Sequence, residues 1–205
     1  MKIFRGSHRE YSDEQLMKKI QVGDVKAFEE LYDRYSQRLL RYFYRMLGGD
    51  EEKSQDFVQE TFLKVVEKTE YFDSDRKFAT WIYTISYNLC KNEYRRMAVR
   101  KIVEKKDNLD DLLQDSKEMS SSPEVNIDCT SFKQALMSEL DKLDFTQKSV
   151  FLLRFQENLS IREIADLMDC KPGTVKSRLY YVIQKLSYRL HDYNPFLYEV
   201  KHHDQ

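Results

Sequence analysis

The sequence predicts an all-α protein of two small helical domains joined by a flexible acidic linker. Three observations carry that prediction. Apolar residues recur at helical spacing through both halves of the chain, no stretch reads as a strand, and the pattern lapses in one acidic, Ser-Pro-bearing segment. Only 5 glycines and 3 prolines stand in 205 residues, so few points break a helix.

Taken in order, Ser12 and Gln15 form a capping box for a first helix with Leu16 and Ile20 on one face, which Gly23 ends. Asp24 caps a second, whose apolar positions are Phe28, Leu31, Tyr32, Tyr35, Leu39, Tyr42, Phe43 and Met46; Gly48-Gly49 breaks it. A third starts near Asp50 and turns Phe57, Val58, Phe62, Val65 and Val66 inward. After a loop from Tyr71 to Lys77, a fourth runs from about Phe78 on a spine of Trp81, Ile85 and Leu89 into a basic end, KNEYRRMAVRKIVEKK.

The sign of charge then reverses. Asp107, Asp110, Asp111, Asp115, Glu118, Glu124 and Asp128 face only Lys117, and Ser120-Ser121-Ser122-Pro123 lies among them. Residues 107–130 therefore read as a linker, with a short helix at Leu109 to Leu113, between domains at 11–106 and 131–190 and before a tail at 191–205. Helical spacing returns in Phe132, Leu136, Leu140 and Leu143. Thr146 is placed as the cap of the next helix, which buries Val150 and Leu153. Ser160 and Glu163 form a second capping box ahead of Ile161, Ile164, Ala165 and Met168; the last helix begins near Pro172 and buries Val175, Leu179, Val182 and Leu186.

The net charge of −1 conceals this local asymmetry and excludes nothing about nucleic acid. Cys90, Cys129 and Cys170 are scattered and odd in number, which fits a reducing compartment. The amino terminus lacks a signal-peptide core and no apolar run is long enough for a membrane, so a cytoplasmic protein without membrane insertion is expected. His8, His191, His202 and His203 make no metal-ligand or catalytic spacing with the cysteines, so neither a cofactor nor an enzyme is expected.

The two last helices have the small Ala165 and short turn of a helix-turn-helix. The turn, Asp169-Cys170-Lys171, has no glycine, though Asp tolerates a strained backbone well. Lys171 is a poor cap, costing roughly 1 kcal/mol against serine, while Pro172 presets the first turn. From Lys171 to Arg189 there are five bases and no acid. The buried positions leave Lys176, Ser177, Tyr180 and Tyr181 facing elsewhere with Arg178 on the flank, and Gly173 admits a phosphate to the helix start. This is either a solvated basic face or a DNA-reading helix; the complete constellation favours the second. In the other half, Asp56, Gln59 and Glu60 are helical neighbours, ordinarily a charged outer face. Aromatics interleaved with bases from Phe78 to Arg96 suit either a core or a single-stranded nucleic acid stacked on rings.

DFVQETFLKV, FATWIYTISYNLCKNEYRR and VFLLRFQENLSIREIADLMDCKPGTVKSRLYYVIQKL resemble, in that order, regions 2 and 4 of bacterial sigma-70-family factors. With two regions and a short acidic linker, the likeness is to the extracytoplasmic-function (ECF) subfamily, over roughly Ser12 to Leu190. It implies a region 2 bundle at 11–106 and a region 4 helix-turn-helix at 131–190. It also implies binding to core RNA polymerase, through the β′ clamp helices and β flap, and to promoter DNA, with no catalysis by the factor itself. Asp56, Gln59 and Glu60 fall on the motif that docks on the clamp helices. Tyr71, Phe72, Asp73, Lys77, Phe78, Trp81 and Asn88 fall where the family captures a flipped-out −10 base, with Lys91, Arg95 and Arg96 on phosphates. Lys171, Gly173, Thr174, Lys176, Ser177, Arg178, Tyr180 and Tyr181 fall on the −35-reading segment. The linker corresponds to a segment threading the polymerase channel, and control by an anti-sigma factor is common in the family. Two departures stand out: Leu143-Asp144 replaces Leu-Pro, and Lys171 replaces a serine. A conventional helix-turn-helix regulator is the alternative, and it leaves the Asp56-Gln59-Glu60 face without a purpose.

Overall fold

A computed structural model describes residues 8–107 and 129–193. Among them are eight α-helices and no strand: α1 (Asp13–Gln21), α2 (Val25–Met46), α3 (Glu51–Glu67), α4 (Phe78–Asp107), α5 (Cys129–Asp141), α6 (Phe145–Phe155), α7 (Ile161–Leu167) and α8 (Pro172–Arg189). Single 3₁₀ turns follow α3 at Thr69–Tyr71 and α8 at His191–Tyr193. The short helix expected at Leu109 to Leu113, and His202-His203, lie outside the described residues.

Local signals set most helix starts. Ser12 with Gln15, and Ser160 with Glu163, form the two capping boxes, while Asp24 and Asp50 accept from first-turn amides. The cap of α6 is a correction: Asp144, not Thr146, accepts from the Gln147 amide at 2.8 Å. Both residues are cap-formers two positions apart, and the extended backbone falls at Asp144. The aspartate that replaces the family's proline thus supplies the missing acceptor. Gly23 (φ +88°) ends α1 in a Schellman turn, with the Asp24 amide on the Lys19 carbonyl at 3.0 Å.

Leu16, Leu31, Leu39, Phe43, Phe57, Phe62 and Val65 bury between α1, α2 and α3. Leu140, Val150, Leu153, Ile164, Ala165, Val175, Leu179 and Val182 do so in the carboxy-terminal half. The two cores run together, because α6 and α7 dock on α2 and α4. That docking explains a further correction, on α4. On α4 the most deeply buried positions are Phe78, Ile82, Tyr83, Ser86, Cys90 and Glu93, and Leu89 is buried as expected, whereas Trp81 and Ile85 are only partly covered. The helix is covered from two sides, so one spine does not describe it. Val66 is half-exposed rather than inward, as are Tyr32 and Phe132. No helix among the described residues is long and apolar enough to cross a membrane.

Candidate nucleic-acid interface

The loop before α4 is built from its own turn and two buried rings. Asp73 accepts from the Asp75 amide at 3.0 Å, and the Arg76 amide closes a turn on the Asp73 carbonyl at 3.0 Å. Phe72 and Phe78 are 5% and 0% exposed, so neither presents its ring to a ligand. They pack instead against Trp81 in tilted arrangements, at 5.2 and 6.0 Å between centroids, and thereby hold the indole. Glu14, reaching across from α1, accepts the Phe78 amide at 3.0 Å and so caps the start of α4. Burial pushes the Glu14 carboxyl up, but this amide bond and its neighbours outweigh it, leaving the group below its usual range. Tyr71, by contrast, is 80% exposed.

Trp81, Asn88 and Arg96, all named from sequence, come together along a cleft of about 530 Å³ between α3 and α4. Lys64 of α3, Lys68 at its C-cap and Asn92 of α4 line it too, none of them singled out by the sequence. Their signal was i,i+4 spacing alone: Lys64 with Lys68, and Asn88 with Asn92, each share a helix face. An indole wall, two amides and three cations make a surface on which bases can stack, be hydrogen-bonded at their edges and have their phosphates neutralised. Glu60 sits at the same cleft, 3.0 Å from Lys64. Arg95 and Arg96 are exposed further along α4, and Lys91 lies over the Tyr87 ring at 5.9 Å. Asp73 is exposed in the loop, and the Lys77 ammonium lies 2.9 Å from Glu163 of α7.

On the outer side of α3, Asp56 and Gln59 are exposed and Glu60 is half-exposed. Leu63 and Val66 continue this face at 62% and 50% exposure, two apolar residues that packing leaves bare. Val66 follows the apolar spacing of α3, so the sequence pattern alone does not join it to the acidic patch.

At α8 the backbone of Asp169 is left-handed (φ +51°), its amide bonds to Asp166 and the Cys170 amide to Ala165 at 2.9 Å, a Schellman turn with aspartate in the usual glycine place. Lys171 is extended and makes no side-chain cap, and Pro172 opens the helix. Gly173 has open space where a Cβ would stand. Lys176, Ser177, Tyr180 and Tyr181 are exposed; the Ser177 hydroxyl donates to the Thr174 carbonyl at 3.0 Å. Thr174 and Arg178 are half-buried, and Arg178 turns toward Cys170 at 3.9 Å.

Comparison with known proteins identifies the class. The model of Sigma-70 region 2 matches residues 31–100 and that of Sigma-70, region 4 matches 133–186. An ECF RNA polymerase sigma-E factor of Haemophilus influenzae is 31% identical over 177 residues, covering 82% of this chain and 90% of the relative. The ECF RNA polymerase sigma factor BldN of Streptomyces coelicolor is 30% identical over 179 residues; the match covers 87% of this chain and 66% of that longer relative. A co-crystal structure of the sigma factor RpoE with the anti-sigma factor NepR from Bartonella quintana shares the fold, with a TM-score of 0.58 and 20% identity over 81% of this chain and 98% of that one. The chain belongs to the ECF group of sigma-70-family RNA polymerase sigma factors.

Proposed function

We propose that this chain joins core RNA polymerase in the cytoplasm and directs it to a promoter, reading and opening DNA without catalysing a reaction itself. The observation that carries this is the presence of two different DNA-compatible surfaces on one chain. The α3–α4 cleft, with Trp81, Asn88, Asn92, Lys64, Lys68 and Arg96, has the chemistry of a single-strand site. The acid-free start of α8, with Lys171, Gly173, Lys176 and Arg178, has the chemistry of a duplex reader. Opening a promoter needs both. Asp56, Gln59 and Glu60, extended by Leu63 and Val66, form the polymerase-facing patch on the clamp helices, and the carboxy-terminal domain takes the β flap. Tyr71 and Asp73, exposed in the loop before α4, serve the −10 strand, while Phe72 and Phe78 act by holding Trp81. The solved relative bound to an anti-sigma factor supports control of this chain by such a partner. The test is reconstitution with sigma-free core polymerase on genomic fragments. Promoter-dependent RNA is expected; tight autonomous DNA binding without transcript on any fragment identifies a conventional regulator instead.

A further inference from the structure

A cleft of about 840 Å³ between α2 and α5 belongs to none of the surfaces above. Its floor is apolar: Leu40 and Tyr44 of α2 line it with Met137 and Leu140 of α5, and Tyr44 is left 47% exposed. Its rim is basic. Arg41, Arg45, Lys133 and Lys148 stand against Glu51 and Asp141, and Lys148 already takes Asp141 at 2.6 Å. Arg45 donates to the neutral amide of Gln156, while Arg41 and Lys133 have no acidic partner among the described residues. Burial holds the Arg45 guanidinium below its usual range, and the Arg41 charge beside it adds to that against the pull of Glu157. The cleft is therefore an apolar slot with uncancelled positive charge, which suits an apolar segment that carries a carboxylate.

Such a segment follows directly where the described residues end. α8 stops at Arg189, which Glu139 holds to α5 at 2.8 Å. Leu190 is buried, the Tyr193 amide returns to the Leu190 carbonyl at 3.0 Å, and the Tyr193 ring packs on Phe132 of α5 at 5.9 Å. Phe132 immediately precedes Lys133 of the cleft. The chain then reads Asn194-Pro195-Phe196-Leu197-Tyr198-Glu199-Val200, in which four apolar or aromatic side chains after the proline surround one acid. An extended chain spans about 3.3–3.6 Å per residue, so Phe196 to Val200 reach roughly 10–25 Å from Tyr193. That is enough to pass around a helix about 10 Å across. Tethered so near, the segment acts at a millimolar effective concentration, and a few apolar contacts suffice to populate the bound form.

We propose that residues 196–200 dock in the α2–α5 cleft, with Phe196 and Leu197 on the floor beside Tyr44 and Met137 and Glu199 at the rim between Arg41 and Lys133. The tail is thus an intramolecular ligand that occupies the cleft against other acidic, apolar segments. This assignment stands on the cleft and on the exit of the chain beside it, and is independent of the DNA reading proposed above.

Photocrosslinking of the full monomeric chain, with the photoreactive p-benzoylphenylalanine in place of Tyr44, tests this. Mass spectrometry of the digest is expected to place an intrachain crosslink within residues 194–200. Phe196→Ser with Leu197→Ser is expected to lower its yield at least roughly fivefold, and Glu199→Lys at least roughly twofold, as the bound population falls. Arg41→Glu with Lys133→Glu, added to Glu199→Lys, is expected to restore the yield, because the charges again oppose one another across the rim. Circular dichroism establishes that every variant keeps its helices. A crosslink to residues 108–128 makes that acidic segment the occupant, and one between isotope-labelled and unlabelled copies makes it a second chain; either overturns the proposal. So does the absence of a crosslink, or a yield indifferent to the serine pair. A Glu199→Lys loss that the reversed rim does not restore overturns the place given to the carboxylate.

Discussion

Lys171 occupies the cap of α8 without an acceptor oxygen, while Ser12, Asp24, Asp50, Asp144 and Ser160 all cap through their side chains. Its positive charge also opposes the positive end of the helix dipole. Lys171→Ser is therefore expected to stabilise the protein by about 1 kcal/mol, or about 3 °C in Tm for a chain of this size. The same change removes a cation beside the Gly173 backbone, so binding of a −35 duplex is expected to weaken and its log–log salt slope to shrink by about one. Thermal melts and a salt titration read the two effects separately. A stabilised variant with unchanged slope shows that Lys171 touches no phosphate. Asp169 is a companion case two residues earlier. Its left-handed backbone penalises a β-branched side chain by about 1–2 kcal/mol, so Asp169→Val is expected to lower Tm while Asp169→Gly holds or raises it.

Glu163 shows how one side chain serves an element and its neighbour. It completes the capping box of α7 and reaches Lys77 across the domain boundary. Burial pushes its carboxyl up, but the Ser160 hydroxyl and amide and the Lys77 ammonium outweigh that and bring it down to about 2. A lowered folded-state value means that the stabilisation is complete above the ordinary value of 4.5 and disappears as pH falls toward about 2. The Tm difference between wild type and Glu163→Gln is accordingly expected to be constant above pH 4.5 and to close by about pH 2. A difference that persists to pH 2 places the contribution elsewhere. On α3, Leu63→Ser with Val66→Ser is expected to change stability by no more than about 0.5 kcal/mol each, as exposed positions do, yet to weaken capture of core polymerase about tenfold or more. Full retention in a pull-down removes these two from the docking face. These elements also mark what is legible in sequence. Caps and glycine stops are local chemistry, so four of the five capped helix starts were readable, and at α6 only the choice between Asp144 and Thr146 was not. Inside and outside on α3 and α4 are set by which helices pack there. Val66 falls on the apolar side of its own helix but has no neighbour to cover it; Tyr83 and Tyr87 are buried by neighbours on two sides.

At the scale of the molecule, the fold class and the two helical halves follow from periodicity and the acidic break, but the contact between the halves does not. Arg38 and Glu157 stand 119 positions apart, and each reads locally as an ordinary surface charge. Their energetics differ from those of a pair sealed inside one core. Loss of one partner from a sealed pair costs about 3–5 kcal/mol, because the other charge stays buried. Here the partners sit on opposite sides of the contact between the halves, so if the halves part when one partner is lost, the cost of any single loss is limited to the free energy of that contact. Burial and the Glu157 charge hold the Tyr83 phenol well above its usual range, so the hydroxyl stays a donor to the carboxylate at any ordinary pH. Arg38→Ala, Glu157→Ala and the double variant should therefore each lose the same amount of stability. In a double-mutant cycle the second substitution then adds nothing, and the coupling equals either single effect. Urea unfolding of the three variants measures it. The singles are expected to agree within about 0.5 kcal/mol of each other and of the double. Additive losses would show that each side chain stabilises its own half, and would rule out a contact that opens as one unit.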